Sequence, residues 1–147
     1  MIRTELEYQE TLKRIELTEE AFRAEEARLK GQGLNRAQIK RMLDPSRAFY
    51  QQIRSEAETY ERLKRGEFDE LHNLRGLGHL LIGARIASGL SQRELADRLG
   101  VHESQVSRDE RNEYSGITVD RANRILEALG VEITTRVKKV PALARLA

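Results

Sequence analysis

Chemistry in a protein chain needs reactive side chains at workable spacings, and here the candidates are few. His72, His79 and His102 have no second ligand at the spacing of a metal site. Cysteine is absent, which removes thiolate ligands, thiol nucleophiles and disulfides together. Serine, histidine and aspartate are all present, but no nucleophile-elbow motif is. Gly76, Gly78 and Gly83 do not follow a strand, so they form no dinucleotide loop. The sequence therefore assigns no catalytic residue, no metal and no cofactor, and the chain is not expected to be an enzyme. What remains is hydrogen bonding and charge, concentrated in residues 91 to 112, SQRELADRLGVHESQVSRDERN.

The elements that hold those side chains can be read from spacing. Ser91 precedes a helical run as a hydroxyl N-cap. Leu95 and Leu99 fall four apart on one face, with Ala96 beside them, and Gly100 can take the left-handed conformation that ends a helix. A second short helix starts at about His102 and carries Val106 inward. Gln92, Ala96, Gly100 and Val106 follow a strict logic. Ala96 must be small for the second helix to cross close above the first, Gly100 must turn without a Cβ clash, and Val106 plugs the angle between them. Leu95, Leu99 and Val101 supply the remaining apolar contacts. The pattern resembles the helix-turn-helix of the lambda-repressor/Cro (Xre) family over roughly residues 77 to 131. Arg85 and Glu110 occupy the positions where members of that family often form a buried ion pair.

The resemblance implies that the second helix lies in the major groove of double-stranded DNA. Carried over position by position, it makes Glu103, Ser104 and Arg108 the base readers. Arg108 would bond guanine bidentately and Glu103 would accept from cytosine N4. Ser91, Gln92 and Arg93, at the positive end of the preceding helix, would meet phosphates, with Gln105 and Arg111 as further backbone contacts. Phosphate contacts set register and base contacts set sequence. Two positions depart from the family pattern. Asp109 stands where relatives carry an apolar residue, so either the helix rotates slightly or Asp109 is paired at the surface. Asn112 replaces the usual glycine, a milder change because asparagine tolerates the left-handed region. Residues 102 to 113 also hold Glu103, Asp109, Glu110 and Glu113 against only Arg108 and Arg111. Pairing with Arg85 excuses Glu110 alone, so modest affinity is expected from one domain.

Composition bounds the rest. Aromatic residues are 5% and charged residues 34% of 147, which suits a helical, well-solvated protein better than a sandwich or an enzyme with a deep apolar pocket. The net charge of +2 is a weak footprint for nucleic acid, but it is uneven: residues 1 to 30 are acidic and residues 31 to 65 basic. No apolar run approaches a membrane span, and the first residues, MIRTELEYQE, are too polar for a signal peptide. A cytoplasmic protein without membrane contact is expected.

Ahead of the helix-turn-helix, Thr4 and Glu7 have capping-box spacing. They open a helix with an apolar seam of Tyr8, Leu12, Ile15, Phe22 and Leu29, interrupted by Glu19 and Glu26 and ended at Gly31-Gln32-Gly33. Asn35 caps a short helix, RAQIKRML, predicted to stop before Asp44. A further helix is predicted from Pro45 to about Arg65, with Phe49, Ile53, Ala57, Tyr60 and Leu63 inward. The two long helices are expected to pair antiparallel, and EFDELHNL to continue as helix. Leu80, Leu81, Ala84 and Ala87 mark the first helix of the family-like region. Thr118 caps a last one, with Ala122, Ile125, Leu126 and Leu129 inward. In residues 131 to 140, Ile133, Thr135 and Val137 alternate with polar neighbours as in a strand, which Pro141 ends before a frayed tail, PALARLA.

The expected fold is all-α: a lambda-repressor-like helix-turn-helix domain with an N-terminal helical hairpin arm and a short C-terminal β-strand. The expected divisions are 1–66 for the arm, 67–131 for the DNA-binding domain and 132–147 for strand and tail. The expected function is that of a sequence-specific transcription regulator, a repressor acting as a homodimer through either strand pairing or arm pairing. The arm also makes the chain similar to HigA-type antitoxins, which bind a toxin protein and repress their own operon. That resemblance implies a toxin as alternative partner of residues 1 to 65.

Overall fold

The computed structural model describes residues 1–140, and six helices account for most of them: α1 (Glu5–Gly31), α2 (Arg36–Lys64), α3 (Leu77–Ala87), α4 (Gln92–Leu99), α5 (Glu103–Arg111) and α6 (Val119–Leu129). The all-α expectation holds. α1 and α2 pair antiparallel as a long hairpin, Tyr8 stacking on Tyr60 near one end and Leu29 meeting Ile39 near the other. The two glutamates that interrupt the α1 seam are used across the pair. Glu19 accepts the Tyr50 hydroxyl, and Glu26 lies 3.5 Å from Arg47. Phe49, expected inward, is instead exposed, because Tyr50 takes the inward position beside Phe22.

The predicted break at Asp44-Pro45 is absent, and α2 runs straight through Pro45. A proline inside a helix costs about 3 kcal/mol through a lost hydrogen bond and a ring clash. The bond is lost at Arg41, an exposed residue. Against that, Ile39 and Leu43 lie on the same helical face as Tyr50 and Ala57, and both bury against Leu29, with Phe22 and Leu34 around them. Each buried aliphatic side chain contributes roughly 1.5–3 kcal/mol, so keeping the face continuous outweighs the proline. The start is fixed by Asn35 and Gln38, which cap one another's main chain.

EFDELHNL does not form the predicted helix. Gly66 leaves α2 with a φ of 74°, and Asn73 and Leu74 have φ of 52° and 61°. Two consecutive left-handed residues cannot continue a right-handed helix. They close a tight hairpin in which Arg75 N–H donates to His72 C=O at 3.0 Å. The same stretch lays Phe68, beside Leu63 of α2, over Gly83 in α3, where an added Cβ would come within 2.7 Å of Leu63 Cδ2.

One core unites the hairpin with the shorter helices. Ile2, Tyr8, Ala57 and Tyr60 are buried in the same cluster as Leu81, Ile82, Leu95, Val106, Ile125 and Leu129. α6 sits as expected, capped by Thr118, ended by left-handed Gly130, with Ala122, Ile125, Leu126 and Leu129 inward. Residues 131 to 140 form no strand in the single chain. A strand requires an edge to pair with, and the described elements around them are helical. Ile133 still packs on the core, Val137 and Val140 stand exposed, and Lys138 lies 3.1 Å from Glu70. Pro141 and the tail fall outside the described residues.

Candidate nucleic-acid interface

Two caps and one glycine position the polar side chains of residues 91 to 112. Ser91 Oγ accepts from Glu94 N–H at 3.1 Å while the Glu94 carboxylate takes the Ser91 N–H at 2.7 Å, a reciprocal cap that holds the Glu94 carboxyl below its ordinary range. α4 ends at Gly100 in the left-handed region, φ 66°. Two residues on, His102 Nδ1 accepts the Ser104 N–H at 3.2 Å and starts α5. Leu95, Ala96 and Val106 are buried where the two helices cross.

Beneath this crossing, Arg85 and Glu110 form the expected pair, and both are buried, at 3% and 0% exposure. Arg85 Nη2 donates to Glu110 Oε2 at 2.7 Å and Nε to Oε1 at 2.5 Å. Gln92 Nε2 adds a third donor to Oε2 at 2.8 Å, and Arg85 Nη1 reaches Leu90 C=O at 2.8 Å. No buried side-chain nitrogen or oxygen among the described residues lacks a partner. An ion pair this deep is tolerated only with its remaining hydrogen-bonding capacity filled, and here it is. It fastens α3, the start of α4 and the end of α5 to one another. The Gln92 amide, expected to face phosphate, is half-buried and joined to this cluster.

The exposed side of α5 follows from helical periodicity. Ser104, Arg108 and Arg111, at steps of four and three, share a stripe opposite Val106 and Glu110, and all three are exposed. Gln105 is exposed beside them. Glu103 is also exposed but lies three residues before Val106, on the flank of that surface. Ser104 Oγ is 2.8 Å from His102 Nδ1, which orients the hydroxyl. Arg93 and Ser91 stand exposed at the start of α4.

Three of the four acids of this region are engaged by other side chains in three dimensions. Glu110 is paired with Arg85. Asp109, the departure from the family pattern, is bound at the surface by Arg121 of α6, so the second of the two expected outcomes occurs. Glu113 lies 3.0 Å from His79 Nε2, a hydrogen bond that holds its carboxyl below the ordinary range. Among the described residues, Glu103 is the one acid of residues 102 to 113 without a basic partner, and Arg93, Arg108 and Arg111 have no carboxylate partner. The pairing of Glu110 was foreseeable and that of Asp109 was one of two expected outcomes, but its partner Arg121, 12 positions on, and the His79 contact of Glu113 carried no signal.

The turn after α5 also differs from expectation. Asn112 has φ of −90°, and the left-handed conformation falls instead on Glu113 and Tyr114, at 53° and 52°. Gly78 explains why the turn fits there: a Cβ on it would meet Glu113 C=O at 1.8 Å. Of the glycines that form no nucleotide loop, Gly78 and Gly83 are thus packing glycines, and Gly76 supplies a left-handed φ of 84° ahead of α3.

With this geometry in hand, comparison with known families gives one result. Residues 82–135 match a family model described as helix-turn-helix. No match was found among curated proteins or solved structures. No helix among the described residues is long and apolar enough to cross a membrane. From the capped α4, the glycine turn, the buried Arg85–Glu110 pair and the family match together, residues 82–135 are a helix-turn-helix domain of the lambda-repressor/Cro (Xre) type, a family of DNA-binding transcription regulators.

Proposed function

We propose that the protein is a sequence-specific repressor that occupies an operator as a homodimer. Glu103, Ser104 and Arg108 read bases, Ser91, Arg93, Gln105 and Arg111 contact phosphates, and Gln92, its amide held by Glu110, braces the start of α4. The observation that carries this reading is the charge distribution: Arg93, Arg108 and Arg111 stand exposed without carboxylate partners among the described residues, while three of the four nearby acids are tied to Arg85, Arg121 and His79. Arg108 shares the outward stripe of α5 and has the reach for a bidentate contact to guanine. A dimer sets two copies of α5 on half-sites about 34 Å apart. Pairing of residues 131 to 140 between copies, or of the arms, would provide it. The test is fluorescence anisotropy with the DNA upstream of the gene and a scrambled duplex, at two salt concentrations. Tighter binding to the upstream DNA with a salt slope supports the reading. The reading places the operator in that upstream DNA, and equal or absent binding to both duplexes overturns it.

A second reading, an antitoxin whose arm over residues 1 to 65 holds a toxin protein, is favoured by one observation. Leu6 and Leu17 on α1 and Met42 and Phe49 on α2 are large apolar side chains left exposed. Expression together with an adjacent small reading frame tests it. A stable complex supports this reading, and two separately eluting proteins count against it.

A further inference from the structure

The segment ahead of α1 reaches into the helix-turn-helix. Ile2 is buried in the main core. Arg3 engages both members of the buried ion pair: its main-chain carbonyl accepts from Arg85 Nη2 at 2.8 Å, and its own Nη1 donates to the main-chain carbonyl of Glu110 at 3.2 Å. These partners are 82 and 107 positions away in the chain. Arg3 is fixed in turn to the first turn of α1, because the Glu7 carboxylate accepts its N–H at 2.8 Å. A continuous series of hydrogen bonds therefore joins the start of the arm to the end of α5.

The place where Arg3 lands matters. Glu110 is in the last turn of α5, where carbonyls run out of intrahelical donors and a cation is favoured by the helix dipole. Glu113 N–H donates to that carbonyl at 3.0 Å, and Arg3 fills its remaining capacity. The side chain of Arg3 is not needed to neutralise anything buried, since Glu110 already holds Arg85 and Gln92 through its carboxylate. Losing the Arg3 guanidinium leaves the core and the ion pair intact and frees only the end of the reading helix.

We propose that Arg3 is a positioning residue for α5: it ties the seat of the DNA-reading helix to the first turn of the arm. The consequence for DNA rests on the repressor reading above, and the clamp itself does not. Arg3→Ala removes the donor but keeps the carbonyl, and Arg3→Lys keeps both charge and a donor. In the free protein, hydrogen exchange of the Asn112, Glu113 and Tyr114 amides is expected to speed up about fivefold in Arg3→Ala, the equivalent of one hydrogen bond, with Ile125 and Leu126 unchanged. Affinity for the best duplex selected from a random pool falls by a similar factor, while affinity for non-specific DNA changes less, and Arg3→Lys restores most of both signals. Unaltered exchange at residues 112 to 114 overturns the clamp. Specific and non-specific affinities falling in equal proportion overturn the positioning role, because lost stability or lost charge alone would do that. A wild-type chain with no preferred duplex overturns the repressor reading, and the exchange rates then decide the clamp by themselves.

Discussion

Glu110→Ala removes the carboxylate at the centre of the buried cluster and leaves the Arg85 guanidinium in place at 3% exposure. Breaking a buried pair from one side costs about 3–5 kcal/mol, because the remaining charge is neither solvated nor compensated. Arg85 keeps two carbonyl acceptors, Leu90 and Arg3, so the lower end, about 3 kcal/mol, is expected. For a chain of this length each kcal/mol moves the melting midpoint by roughly 2–4 °C, which gives a Tm drop of about 6–12 °C. The double variant Arg85→Met/Glu110→Leu removes both charges at once. Replacing a buried pair by apolar side chains is often neutral or stabilising, so the double variant should recover more than half of the loss. Urea unfolding followed by circular dichroism on the wild type, the single and the double variant reads both the loss and its recovery. A loss below about 1 kcal/mol for Glu110→Ala, within the range of ordinary substitutions, would refute the reasoning. So would a double variant no more stable than the single one.

Three further outcomes follow from the same contacts. All four tyrosines are pushed up: Tyr8 to about 12 by its hydrogen bond to Glu61, Tyr60 to about 12 by burial, Tyr114 by burial, and Tyr50 by Glu19. The unfolded chain therefore loses phenolic protons first, near pH 10, and stability should be complete below that pH and decline as pH rises toward 12; tyrosinate absorbance that develops at the same pH in native and urea-unfolded chains would contradict this. Gly78→Ala drives a Cβ into the Glu113 carbonyl and should destabilise by about 3 kcal/mol or more, whereas Gly31→Ala, at a helix end with nothing within 4 Å, should be neutral or stabilising by up to about 1 kcal/mol; thermal melts separate the two. Arg108→Ala should lose about 1–3 kcal/mol of discrimination at one base position, while Arg111→Ala should weaken all duplexes alike and lower the salt slope by about 1; a panel of single-base operator variants distinguishes these effects.

The helix-turn-helix was legible because its determinants are local. Ser91, Ala96, Gly100 and Val106 are close in sequence, and each is constrained by the helix it caps, crosses or ends. The arm was legible as two antiparallel helices from the periodicity of Tyr8, Leu12, Leu29, Ala57 and Tyr60. Pro45 misled because a local rule, that proline starts or breaks a helix, lost to burial of Ile39 and Leu43 on a continuous face. The segment 67–74 misled for the opposite reason: its helix-forming residues gave way to a left-handed pair at Asn73 and Leu74. The electrostatics of the reading helix were the least legible part. Charges counted along residues 102 to 113 oppose DNA, yet Asp109 is paired with Arg121 of α6 and Glu113 is hydrogen-bonded to His79 of α3, and nothing in the sequence names either partner. Arg3 was silent for the same reason, as a polar residue at a chain end whose partners are more than eighty positions away.

The contact of Arg3 with Arg85 and Glu110 also bears on how the chain acquires its structure during synthesis. The α1–α2 hairpin has all its own contacts once residue 64 has emerged from the ribosome, and it can form early from near-neighbour packing. Arg85 emerges next, with its ionic partner still 25 residues away. Until Glu110 arrives, closing the core around Arg85 would bury an uncompensated cation. A nascent or truncated chain ending before α5 is thus held open at the junction between arm and reading domain, leaving Ile2, Leu81 and Leu95 accessible to chaperones and proteases. The last turn of α5 thus supplies, in one step, the end of the reading helix and the carboxylate that lets Arg85 be buried, and α6 then adds Ile125, Leu126 and Leu129 to finish the core.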